Sequence, residues 1–134
     1  MKGIIVVLVN HSAVDVNPII KELLRRQTNV ALIPSVTTRE AKETDEPGKY
    51  NYITNVEFFD IVETGGFLEY EAHNGNYYGT LYIRTEELGK HDLLFSKDVN
   101  GALSIKSRHP KAITIYILPK EEEQQFKDHM CMPL

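Results

Sequence analysis

Cysteine is almost missing from this chain of 134 residues, and Cys131 is the one thiol. A lone cysteine permits no internal disulfide, which suits a reducing compartment, and a cytoplasmic setting is expected. An excess of positive charge is missing too: 15 Lys and Arg against 19 Asp and Glu give a net charge of −4. That balance favours neither a nucleic acid nor an anionic membrane surface as partner. Long hydrophobic runs are also absent. The apolar stretch over residues 4–9 is too short for a signal segment or a membrane span. His73, His91, His109 and His129 lack any His-x-x-x-His spacing, so no metal site is expected. What is present is an ordinary globular composition, 42% apolar and 25% charged, at a length that fits one domain with its own core.

Periodicity supplies the elements. Residues 4–9 form a continuous, mostly β-branched run, the pattern of a strand buried on both faces of a parallel sheet. A polar loop over 10–15 leads to Asn17-Pro18, which predicts a helix with Asn17 as N-cap and Pro18 at its first position. Ile19, Ile20, Leu23 and Leu24 make its apolar stripe. Residues 30–33 predict a second strand, so residues 4–34 read as a β-loop-α-β unit. Residues 34–49 are polar and charged and predict an irregular loop. Residues 50–53 predict a short strand. Thr54 to Glu57 spell a capping box, opening a helix with Phe58, Phe59, Ile61 and Val62 that Gly65 and Gly66 stop. A short amphipathic segment runs to Leu88, and a buried strand is expected over 91–95. Asp98 caps a helix carrying Val99, Ala102, Leu103 and Ile105, and a fourth strand is expected over 112–118. Residues 121–130 predict a polar terminal helix.

The sum is an α/β fold: a parallel sheet of about four core strands with a small β-rich insertion. The core takes residues 1–34 and 90–119, the insertion 35–89 and the tail 120–134, within a single domain 1–134. Ligands in such sheets sit where loops meet at the carboxyl ends of the strands, here 10–15, 34–49 and 96–100.

Residues 65–80 hold the densest chemistry. Phe67 to His73 alternates like a strand, Asn74-Gly75 supplies the positive-φ pair of a type I′ turn, and Asn76 to Tyr82 returns. Glu69 on one strand, with Tyr77, Tyr78 and Thr80 on the other, can read a planar polar ligand by directed hydrogen bonds. The same residues also describe a solvated hairpin with exposed tyrosines. His11 and Ser12 resemble a nucleophile pair, but no third group is in view to orient them, and they are read as a plain loop.

Several short motifs agree with one family. Ser35-Val36-Thr37-Thr38-Arg39, Gly48-Lys49-Tyr50-Asn51-Tyr52, Phe67-Leu68-Glu69, Gly75-Asn76-Tyr77-Tyr78-Gly79-Thr80 and Asp98-Val99-Asn100-Gly101 resemble guanylate kinase in order and approximate spacing. The resemblance implies a P-loop kinase core, a GMP-binding insertion and a helical lid over ATP. It implies that Ser35, Arg39, Tyr50 and Tyr78 hold the GMP phosphate, for which a guanidinium and hydroxyl donors are suited. Arg39 would alternatively be a solvated loop cation. Lys42 stands where the family has a second arginine, keeping the charge and losing the bidentate fork. Glu69 and Thr80 match the guanine-reading residues; a carboxylate there accepts from a ring N–H and the amino group of guanine. Ser96 stands where the family has an acidic guanine ligand, and Asp98 matches an acidic residue near the phosphate and metal region.

On the phosphate-donor side the match fails. The resemblance lays Asn10, His11, Ser12, Ala13, Val14, Asp15, Val16 and Asn17 on the P-loop, whose working form is Gly-x-x-x-x-Gly-Lys-[Ser/Thr]. Val16 takes the lysine position, Asn17 the hydroxyl position, and Asn10 and Asp15 the glycine positions. Asp15 would repel each phosphate charge about 4 Å away by roughly 4 kcal/mol at an effective dielectric near 20. Past Pro119 the family continues into an arginine-bearing lid and a last strand. Here the basic residues after Pro119 are Lys120, Lys127 and His129. One sheet edge is therefore expected to lack a neighbour, to be covered by residues 121–130 or by a second copy in a homodimer.

These departures predict a guanylate-kinase-like protein that keeps a pocket for GMP, or another phosphate-bearing ligand, without transferring phosphate and without a cofactor. The alternatives are an active guanylate kinase, taking ATP with Mg²⁺ at an atypical donor site, and a module for a phosphorylated or acidic peptide.

Overall fold

The computed structural model describes residues 3–10 and 14–120. In chain order its elements are β1 (Ile5–Val9), α1 (Asn17–Arg26), β2 (Val30–Leu32), β3 (Ser35–Thr37), β4 (Tyr50–Tyr52), α2 (Asn55–Glu63), β5 (Phe67–His73), β6 (Asn76–Leu81), α3 (Thr85–Lys90), β7 (Asp92–Lys97), α4 (Val99–Arg108) and β8 (Ile113–Tyr116).

β1 is the run the sequence marks as buried on both faces, and it is central. It pairs in parallel with β7 on one side and β8 on the other, and β2 joins β7 in parallel, giving the order β2-β7-β1-β8. One face of this sheet, with Ile5, Val7, Val9, Leu93 and Phe95, packs on Ala102 and Ile105 of α4. The other, with Leu8 and Leu94, packs on Val16 and on Ile20 of α1. Each such side chain taken from water contributes roughly 1.5–3 kcal/mol, so a core of this size anchors the ends of all four strands.

The insertion is a second sheet of order β4-β3-β6-β5. Residues 34–49 are thus not wholly irregular as expected: β3 runs parallel to β4 and antiparallel to β6. Its three residues carry one apolar side chain, Val36, too few for a periodic signal, and its order comes from pairing. α2 covers this sheet with Phe58, fully buried against Val36 and Phe67. The capping box forms as expected: Thr54 accepts from the Glu57 N–H while Glu57 accepts from the Thr54 N–H. Asn74 (φ 50°) and Gly75 (φ 79°) make the positive-φ turn between β5 and β6.

Three boundaries differ from expectation. Asn17 is inside α1 rather than capping it; Val16 is the cap residue, and the Asp15 carboxylate accepts the Asn17 N–H at 3.0 Å. His91 ends α3 instead of opening a strand. β7 runs on to Lys97, so Ser96 and Lys97 belong to a strand and not to a loop. Asp98 does cap α4, accepting from the Gly101 N–H at 2.7 Å. β8 has β1 as its one strand neighbour among the described residues. The segment 121–130, expected to be helical and to cover that edge, lies outside the described residues.

Candidate functional site

Between the two sheets lies a cavity of about 420 Å³. Its walls come from the carboxyl ends of β1 and β7, the start of α4, the first turns of α1, and the hairpin β5–β6. Of the residues singled out from sequence it brings together Asn10, Asn17, Ser35, Tyr50, Glu69, Tyr78, Ser96 and Asp98. Arg39, Lys42 and Thr80 do not line it. His11, Ser12 and Ala13 lie outside the described residues.

The missing liners are placed by specific bonds. Thr80 is fully buried, and its hydroxyl donates to Glu69 Oε1 at 2.5 Å, fixing the carboxylate that faces the cavity. Arg39 stands behind the tyrosines, its guanidinium 5.1 Å from the Tyr50 ring centre. It donates to Asp45 Oδ1 at 3.0 Å and to the Glu40 carbonyl. Asp45 was not among the sequence candidates. Its carboxylate gathers Arg39, the Tyr52 hydroxyl and the Lys42 N–H, and these bonds, Arg39 foremost, hold its pKa far below the ordinary carboxylate range. The Asp45 bond in turn raises the Arg39 pKa. Thr37 and Thr38 are structural: both are bonded to the Tyr77 backbone, tying β3 to β6.

Ser35 also departs from the grouping the resemblance implies. It has no hydrogen bond to Arg39; its hydroxyl instead accepts from Lys97 Nζ at 2.6 Å. Lys97 is another residue that sequence reasoning passed over. It is 8% exposed, with its aliphatic stem against Gly101. Burial is the main cause lowering its pKa, and the charges of Glu69, Asp98 and Glu71 oppose that shift. A signal for it exists: Leu93, Phe95 and Lys97 alternate along β7, so Lys97 must share their inward face. Ser96, on the opposite face, donates to Asn10 Oδ1 at 3.0 Å.

On the donor side Val16, at the lysine position of the P-loop, is 4% exposed and buried among Leu8, Ile20 and Leu94. Its side chain has no group to offer a phosphate. No cluster of metal-ligating side chains is found among the described residues. No described helix is long and apolar enough to cross a membrane.

A parallel α/β sheet facing a small hairpin sheet, with a cavity at the strand ends, is the architecture in which α/β folds seat small ligands. Comparison with known proteins narrows the class. The family model described as guanylate kinase matches residues 2–130. The chain is 38% identical over 122 residues to a guanylate kinase of Thermotoga maritima, covering 89% of this chain and 59% of that one. It is 37% identical over 125 residues to a guanylate kinase of Rickettsia bellii, covering 91% of this chain and 65% of that one. In structure it resembles the guanylate kinase from Anaplasma phagocytophilum, with a TM-score of 0.71 and 25% identity over 94% of this chain and 65% of that one. The chain belongs to the guanylate kinase family. It spans about three fifths of the length of the Thermotoga relative.

Proposed function

We propose that the cavity binds GMP, with the base between Glu69 and β7 and the phosphate toward Tyr50, Tyr78 and Arg39. The observation that carries this reading is the convergence of Glu69, Tyr50, Tyr78 and Asp98 on one cavity large enough for a nucleotide. Glu69, held by Thr80, accepts from the N–H groups of guanine and would face an acceptor nitrogen in adenine. Arg39 supplies the charge for a phosphate once its Asp45 partner is exchanged for the ligand. Lys42 assists from the same loop.

Phosphoryl transfer is a separate matter. The relatives that share the fold carry the name guanylate kinase, which favours ATP and GMP going to ADP and GDP. The residues at 14–17 do not fit the family's way of holding ATP and Mg²⁺: Val16 is buried, and the Asp15 carboxylate is bonded to the Asn17 N–H. Retention of GMP binding without transfer is the reading this observation favours.

Calorimetry with GMP, AMP and ATP separately, alongside a coupled turnover assay, tests both statements. Heat with GMP alone and no turnover supports the proposal. Absence of GMP binding removes it, and turnover that Arg39→Ala abolishes establishes an active kinase instead.

A further inference from the structure

We propose that Lys97 reads the base: its ammonium, beside the Ser35 hydroxyl, donates to the O6 edge of a 6-oxopurine and so sets guanine against adenine. This rests on the GMP-binding reading and adds a determinant to it.

Lys97 is buried and still lines the cavity. Its ammonium has three donors, and among the described residues one is used, toward Ser35 Oγ. No carboxylate lies within ion-pair distance of it among the described residues. A buried cation so weakly satisfied is costly to keep without a ligand that accepts from it. Gly101 makes room for it: a Cβ there would sit 3.1 Å from Lys97 Cβ and 3.3 Å from its Cδ.

The cavity has two ends of different chemistry. Tyr50 and Tyr78 line one, with the Arg39–Asp45 pair behind them. Lys97, Ser35, Glu69 and Asp98 form the other, and the charges felt by Lys97 are those of Glu69, Asp98 and Glu71. Guanine presents, on one edge, two donors at N1 and N2 and an acceptor at O6. Glu69 answers the donors, and a donor must answer O6. Lysine meeting O6 or N7 of guanine is a recurrent pairing for that reason. Adenine carries an amino group at position 6, which would set donor against donor and leave both unpaired. Ser96, at the family's acidic position, is committed to Asn10, so the base edge is read without it.

The test is calorimetry on the full chain and its Lys97→Met variant with GMP, IMP, AMP and guanosine. Loss of the contact should weaken GMP, IMP and guanosine each by about tenfold, within the usual worth of such a base contact, and leave AMP unchanged. Lys97→Gln, which keeps a neutral donor, should retain part of the preference. A loss shared by GMP and AMP but absent for guanosine would place the ammonium on the phosphate and overturn the proposal. So would GMP affinity that both variants leave intact. Failure of the unmodified chain to bind any of the four is a different result, and removes the GMP reading itself. Thermal unfolding of each variant confirms that the folded protein is being compared.

Discussion

Gly79→Ala should damage this protein more than its chemistry suggests. Gly79 sits on β6 between Tyr78 and Thr80, and an added Cβ would lie 2.6 Å from Phe67 Cε1 and 2.7 Å from its Cδ1. The ring has little freedom to retreat, because Phe67 is 7% exposed and its centroid is 4.5 Å from that of Phe58. Overpacking of this kind costs about 1–3 kcal/mol. With an unfolding entropy of about 2.1 cal/mol/K per residue, 134 residues give about 0.28 kcal/mol/K, so Tm should fall by roughly 4–11 °C. Urea and thermal unfolding measure this directly. A double-mutant cycle with Phe67→Leu isolates the cause. In the background of Gly79→Ala, that second change should cost about 1 kcal/mol less than in the original chain, because it relieves the clash. Costs that simply add would refute the steric account. GMP affinity should fall with Gly79→Ala as well, since β6 carries Tyr78 into the cavity.

Lys97→Met should raise the stability of the ligand-free protein by about 1–3 kcal/mol near neutral pH, since a desolvated ammonium is replaced by an apolar group. The Lys97 pKa is lowered on folding, so the folded state pays for the charge at neutral pH and sheds its proton first as pH rises. The stability gap between the variant and the original should therefore shrink from pH ~7 toward pH ~10, and a gap that stays flat contradicts the burial argument. Asp45→Asn should tighten GMP binding severalfold and leave guanosine unaffected, because it frees Arg39 and removes a negative charge that competes with phosphate. Weaker GMP binding would mean that Asp45 is needed to position the loop.

The elements with strong local signals were legible in the sequence. The run of β1, the Thr54 capping box, the Asn74-Gly75 turn and the Asp98 cap each depend on residues within a few positions of one another, and each is found. β3 was not legible, because three residues become a strand only when β4 and β6 flank them. Asn17 looked like a cap by residue type, yet it lies within the helix and its own N–H is taken by Asp15. For the site, the motifs located Glu69, Tyr50 and Tyr78 at the cavity. They could not reveal that Arg39 is held by Asp45 or that Lys97 reaches Ser35, 62 positions away. The first depends on how a loop folds back on itself and the second joins distant segments, and Lys97 was visible only as an inward position on β7.

The crossing from the first sheet to the second is very short. The Ile33 N–H is bonded to the Leu94 carbonyl, and the Ser35 N–H to the Lys49 carbonyl. Only Pro34 stands free between these two anchors, and its ring fixes φ. The two sheets are joined there by one stiff peptide joint and on the return path through α3, and Leu68 of β5 and the Lys97–Ser35 bond pin them together in between. A change in the width of the cleft would have to unseat Leu68 and part Lys97 from Ser35, because the Pro34 joint leaves no slack between the sheets.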